Sequence, residues 1–190
     1  MKFKSLLITA KSIRQLLFSC ILMMLSTLAN AQSANIVFAD TYVKTICVTN
    51  WDTSGDGELS YDEAAIVTGL GGLFANDSQI NSFEELQYFT GLTNIASAFY
   101  GSGLTAVSIP SSVTSIGNNA FGDCEYLTTV SIPNSVTRIE VHAFQGCKSL
   151  TSITLPNSVE TIGEGAFYNC TGMTSFTIPN SVTSIDAEAF

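Results

Sequence analysis

The sequence predicts an α+β repeat fold: a solenoid of stacked coils with short parallel strands, preceded by a small helical cap. Three observations carry that prediction. Through the second half of the chain one phrase returns every 23 residues, with Pro110, Pro133, Pro156 and Pro179 in phase with Phe121, Phe144, Phe167 and Phe190 and with Cys124, Cys147 and Cys170. A fixed period of this size means that each unit buries its apolar face against its neighbours. Directly before each proline an apolar-x-apolar triplet alternates inward and outward, the period-2 mark of a strand. The region ahead of the phrase carries helical spacing instead.

In chain order, Lys2, Lys4, Lys11 and Arg14 precede an apolar run from Leu16 to Ala29. Ala29-Asn30-Ala31 then supplies small residues at the positions a signal peptidase reads, so residues 1–31 are expected to be a secretory signal cleaved after Ala31. A transmembrane anchor fits less well, because Ser19, Ser26 and Thr27 interrupt a run that is short for a span. Cys20 sits in a poor lipobox. Cleavage would remove four of the seven basic residues and none of the sixteen acidic ones, leaving a charge of about −13. Such a surface repels nucleic acid and anionic membrane, and no stable membrane insertion is expected once the signal is gone.

Residues 32–78 are expected to form the cap. Tyr42, Val43, Ile46 and Cys47 have helical spacing after Asp40 as a cap, and Asp62 to Val67 can start a second helix. Between them the segment from Asp52 to Glu63 matches the twelve-residue EF-hand calcium loop. Oxygen donors fall at positions 1, 3, 5, 9 and 12 (Asp52, Ser54, Asp56, Ser60, Glu63), with the Glu58 carbonyl at 7, Gly57 at the sharp turn and apolar Leu59 at 8. No second such loop is present, and serine at positions 3 and 9 leaves three charged ligands. The expected calcium affinity is therefore in the weak extracellular range, about 10⁻⁴ to 10⁻³ M. A calcium-free Asp/Gly turn is the alternative. Ser82-Phe83-Glu84-Glu85 reads as a capping box, with Glu85 reaching back to Ser82, opening a short helix from Phe83 to Phe89 that packs against the first coil.

Residues 79–190 are expected to hold the coils. Residues 86–103 keep part of the phase through Leu92, Ile95 and Phe99, with Gly103 at the cysteine place, as a first, transitional coil should. The first full coil places Leu104, Val107, Ile109, Val113, Ile116, Ala120, Phe121 and Cys124 inward, and the next two match it residue for residue. Ser108, Ser131, Thr154 and Thr177 are the outward strand positions. Proline ends each strand and Asn-Ser or Ser-Ser turns the chain. The return path, Val-x-x-Ile then Ala-Phe, fits a turn and a short helical or irregular segment. The last coil stops at Phe190 in mid-phrase, so the chain is expected to be truncated at its C-terminus.

The wording L-x-x-V-x-I-P-N-S-V-x-x-I-x-x-x-A-F-x-x-C, as it stands from Leu127 to Cys147, closely resembles the BspA-like leucine-rich repeats. The resemblance implies a leucine-rich-repeat solenoid on a secreted or surface-exposed protein, associated with adhesion and protein binding.

The repeat cysteines share the inward register beside phenylalanine and read as small buried apolar residues, although stacked neighbours fall within disulfide range. No Cys-x-x-Cys pair supports zinc. Catalytic constellations are missing. His142, the single histidine, holds the place of Asn119 and Gly165 and is expected to be exposed, and no Gly-rich phosphate loop exists. The function expected is therefore non-enzymatic: an exported interaction protein whose Ser/Thr strand face takes a protein or surface glycan. The rival reading is a rigid spacer that displays a further C-terminal domain.

Overall fold

In the computed structural model, which describes residues 33–190, the coils are organised around a column of phenylalanine rings. Phe99, Phe121, Phe144 and Phe167 lie 5.4 Å apart, centroid to centroid, with planes within 8° of parallel. Phe190 continues the column at 5.7 Å, and Phe74 extends it at the other end at 5.4 Å, one coil further than the phrase is legible. Parallel planes at this separation are offset and not face to face, which relieves repulsion of their π clouds. The expected signal segment lies outside the described residues. Residues 35–190 form one compact unit, so cap and coils share a core.

Two parallel sheets flank the ring column. The strand before the proline is present where expected in two coils, β2 (Ala106–Ser108) and β4 (Thr129–Ser131), paired Val107 to Val130 and Ser108 to Ser131. In the next two coils the same segment is irregular. The longer sheet lies on the return path, contrary to the expected helical or irregular segment. There β1 (Asn94–Ile95), β3 (Ser115–Ile116), β5 (Arg138–Ile139), β6 (Thr161–Ile162) and β7 (Ser184–Ile185) pair in that order. In a stacked coil each return residue meets its own copy one strand spacing away, so its amide pairs between coils rather than within one. The Gly117, Glu140, Gly163 and Asp186 amides accordingly donate to the carbonyls of Ile95, Ile116, Ile139 and Ile162 at 2.7 to 2.9 Å. The expected turn after each proline is present, with Val113, Val136, Val159 and Val182 amides donating to the carbonyls of Pro110, Pro133, Pro156 and Pro179 at 3.1 Å.

Each coil also reverses direction around its Ala-Phe pair, and the reversals need left-handed backbone. Ser97, Asn119, His142, Gly165 and Glu188 form one column with φ between +50° and +57°. Gly101, Asp123, Gly146 and Asn169 form a second, with φ between +55° and +68°. Asn, Asp, His and Gly are the residues that tolerate this region best. His142 is therefore not a freely exposed side chain: it is half-buried, and its Nδ1 is buried without a hydrogen-bond partner among the described residues.

The cap begins with helix α1 (Thr41–Trp51), whose N-terminus is held as expected by Asp40 Oδ1 accepting from the Tyr42 and Val43 amides at 2.8 and 3.3 Å. Val43 and Cys47 are its buried face. Helix α2 (Tyr61–Ala65) is a single short turn of helix, ending before the expected Val67. A 3-10 helix, Glu84–Tyr88, carries buried Phe83, Leu86 and Phe89 against the ring column, with Phe83 6.2 Å from Phe99 and Trp51 5.3 Å from Phe89. The capping box expected at its start does not form. Ser82 is drawn into a parallel bridge with Ala106, and the Glu85 carboxylate turns to the Ala39 amide.

Candidate functional site

The loop between α1 and α2 is ordered by its own acids. Asp52 Oδ1 accepts from Ser54 Oγ and the Gly55 amide at 3.0 and 2.7 Å, and Oδ2 accepts from the Gly57 amide at 2.8 Å. Gly57, at the loop's sixth position, has φ +83°, a conformation a side chain would strain. Glu63 reaches back from α2. Its Oε1 accepts from the Thr53 amide, Thr53 Oγ1 and the Ser54 amide at 2.8, 3.0 and 2.8 Å, and its Oε2 from the Ser60 amide and Ser60 Oγ at 2.9 and 2.8 Å. Ser60 Oγ in turn accepts from the Glu63 amide. The ninth and twelfth positions of the loop are thus also a reciprocal capping box. The Ser-x-x-Glu signal that could have shown it is in the sequence, hidden by the metal reading of the same two residues.

These contacts set the acids' protonation. Burial alone would raise Glu63, but the hydrogen bonds from Ser60, Ser54 and Thr53 outweigh it and hold the carboxyl down at about 2. Asp52 is lowered chiefly by the Gly57 amide, against the nearby negative charge of Glu63. Leu59 is fully buried and ties the loop to the core. Its carbonyl accepts from the Ile36 amide at 2.8 Å and Ser60 bridges to Asn35, so an N-terminal segment covers the loop's edge.

The six donors Asp52, Ser54, Asp56, Glu58, Ser60 and Glu63 fit a hard cation in kind, since all offer oxygen, and Asp52 and Glu63 are close enough for their charges to oppose each other. Their present arrangement is another matter. Among the described residues no three acidic, histidine or cysteine side chains converge as a metal-holding group. Asp56 accepts from the Glu58 amide at 2.9 Å, and the Glu58 side chain pairs with Lys44 at 2.7 Å. The loop is closed by hydrogen bonds to its own backbone.

The second candidate surface is the face before the prolines. Ser108, Ser131, Thr154 and Thr177 are all exposed, as are Ala106, Thr129, Ser152 and Ser175 beside them. The two columns form a flat hydroxyl-bearing ribbon. Between the third full coil and the last, partial one it opens into a groove of about 380 Å³ lined by Ser152, Thr154, Asn157, Ser175 and Thr177.

Beneath that face the cysteines run up the core as free thiols. Cys124, Cys147 and Cys170 donate to the carbonyls of Phe99, Phe121 and Phe144 at 2.9, 3.2 and 3.0 Å. Burial pushes the Cys124 thiol up. The place below Cys124 belongs to Ser102, whose Oγ lies 3.5 Å from the thiol sulfur, and not to Gly103. The transitional coil is one residue shorter than the rest, which shifts the register by one.

Compared with known proteins, residues 74–190 match the model of the BspA-type leucine-rich-repeat region in six copies. A crystal structure of a T. pallidum leucine-rich-repeat protein is similar at 39% identity and a TM-score of 0.50, over 52% of this chain and 47% of that one. A leucine-rich-repeat protein from Bacteroides ovatus is similar at 31% identity and a TM-score of 0.50, over 62% of this chain and 29% of that one. The chain thus spans about half the length of the first and under a third of the second. No curated protein matches it.

Proposed function

The chain belongs to the BspA-type leucine-rich-repeat family, whose members are generally non-enzymatic surface or protein-binding repeat proteins, and from that premise we propose an exported adhesion module whose hydroxyl-bearing face takes a protein or surface glycan. The observation that carries the proposal is the exposed double column from Ala106 and Ser108 to Ser175 and Thr177. Short hydroxyl side chains at strand spacing present donors and acceptors with little entropy to lose, on a scaffold tied from coil to coil by backbone hydrogen bonds. No helix of the described residues is long and apolar enough to cross a membrane. The rigid-spacer reading makes the opposite forecast about this face.

The test is binding of the purified chain to arrays of glycans and extracellular proteins. Ser131→Arg with Thr154→Arg, which fills the face with bulk, should abolish any saturable binding, while Glu160→Arg on the return side should leave it intact. Binding to nothing on either array favours the spacer, and binding unaffected by the double change would move the site off this face.

The same proposal includes weak calcium binding by the 52–63 loop, with Asp52, Ser54, Asp56, Ser60, Glu63 and the Glu58 carbonyl as donors. What supports it is the oxygen-only donor set wound around Gly57 and the two opposed carboxylates. When bound, the ion would supply charge neutralisation and a stiffer cap. Millimolar calcium should raise the melting temperature, and magnesium should do so less because it gives up water reluctantly. At ten times the dissociation constant the linkage is about 1.4 kcal/mol. Asp52→Ala with Glu63→Ala should abolish the increment. Equal responses in both proteins would place the effect elsewhere, and none in either would leave the loop a calcium-free turn.

A further inference from the structure

We propose that a crevice at the edge of the cap, lined by Phe38, Ala39, Glu84, Glu85, Gln87 and Tyr88, receives a primary ammonium group of the kind a lysine side chain of a bound protein presents. The cavity holds about 260 Å³ and lies between the segment leading into α1 and the 3-10 helix. Glu85 on its wall is 5% exposed. One carboxylate oxygen, Oε1, accepts from the Ala39 amide at 2.7 Å. The other, Oε2, is buried and has no hydrogen-bond partner among the described residues.

A buried carboxylate with one oxygen unsatisfied is costly, and such groups are ordinarily paired. No described residue pairs it. Beyond residue 32 the sequence holds three basic residues, Lys44, Arg138 and Lys148. These pair with Glu58, Glu140 and Glu125 at 2.7, 3.2 and 2.6 Å. No basic side chain of the described residues is left over for Oε2, and the net charge of −9 draws cations toward it.

The geometry narrows the class of cation. A guanidinium takes a carboxylate best through two parallel hydrogen bonds, and Oε1 is already committed to Ala39. Calcium needs six or more oxygens, which one free carboxylate oxygen does not approach. An ammonium on an alkyl stem needs one strong acceptor, a second charge nearby, and apolar or aromatic walls for its methylenes. Glu85, Glu84, and the pair Phe38 and Tyr88 supply these in turn.

This site is separate from the hydroxyl face, so each can fail alone. The experiment is a titration of the full chain with Nα-acetyl-lysine methylamide at constant ionic strength, followed by amide NMR. Saturable shifts centred on Ala39, Gln87 and Tyr88 are expected. Acetylation of the probe's ε-amine should weaken binding at least tenfold. Glu85→Gln keeps a carbonyl for the Ala39 amide but loses the charge, and should weaken binding at least tenfold, whereas Thr154→Arg should not change it. Equal shifts with sodium chloride, with the acetylated probe, or in Glu85→Gln would overturn the proposal. Should Glu85→Gln fail to fold, discrimination between lysine and acetyl-lysine by the wild-type chain decides the matter.

Discussion

The coils and the cap solve one problem in opposite ways. Within the coils the amides of the return strands and of the ring column find their acceptors one repeat away: the Phe121, Phe144 and Phe167 amides donate to Ala143, Ala166 and Ala189 carbonyls at 2.7 to 2.8 Å, and each ring rests on its copy. In the cap nothing repeats, and acidic side chains stand in for the missing neighbour. Asp40 serves the start of α1, Asp52 and Glu63 serve the loop, and Glu85 serves Ala39. A periodic sequence satisfies its backbone by copying itself, whereas an aperiodic end must carry its own acceptors. The coils should therefore be sensitive to lost volume and the cap to lost charge.

The largest effect is expected of Phe144→Ala. Phe144 is flanked by rings at 5.4 Å on both sides, and its removal should cost about 3 to 5 kcal/mol in thermal or denaturant unfolding. A loss under about 1 kcal/mol would mean the column is not the core. Glu63→Ala should cost less, about 1 to 3 kcal/mol. The lower end is favoured because Thr53 and Ser54 are exposed and can turn to water, while Ser60 is buried and cannot. Its damage should stay in the cap, read as lost protection of residues 53–60 with the Phe column unchanged. The smallest effect belongs to His142→Gly. Glycine accepts the left-handed backbone and removes the unpartnered Nδ1, so a gain of less than about 1 kcal/mol is expected. A loss above that would show that the imidazole packs usefully between coils.

The parts of the fold legible in the sequence are those written several times over. Proline, phenylalanine and cysteine columns announced the inward register, and Asp40 announced α1. The return strands were illegible because each is two residues long and its Val-x-x-Ile spacing mimics a helix; only stacking reveals that Ile116 and Ile139 pair. The left-handed columns show in the sequence as Asn119, His142 and Gly165 in one place, yet variation of residue type there reads as exposure and not as a shared φ. Ser-x-x-Glu occurs at both Ser60 and Ser82, and tertiary context alone decides between them. At Ser60 the box closes, whereas at Ser82 the bridge to Ala106 and the pull of the Ala39 amide on Glu85 dismantle it. Of the candidate metal donors, the sequence could name all six but could not show that Glu63 spends both oxygens on loop hydrogen bonds.

The comparison is tested most directly by hydrogen-exchange protection as pH falls from 6 to 2. Glu63 is held at about 2 in the folded chain, against about 4.3 for an ordinary glutamate. Its contribution is complete above the unfolded value and is lost as pH falls through the folded one. Asp52, also lowered, acts in the same direction. Protection factors for Ser54, Gly57 and Ser60 should therefore drop between pH 4.3 and 2, while those of Phe121, Phe144 and Phe167 hold. A uniform loss across cap and coils, or coils that open first, would contradict the account.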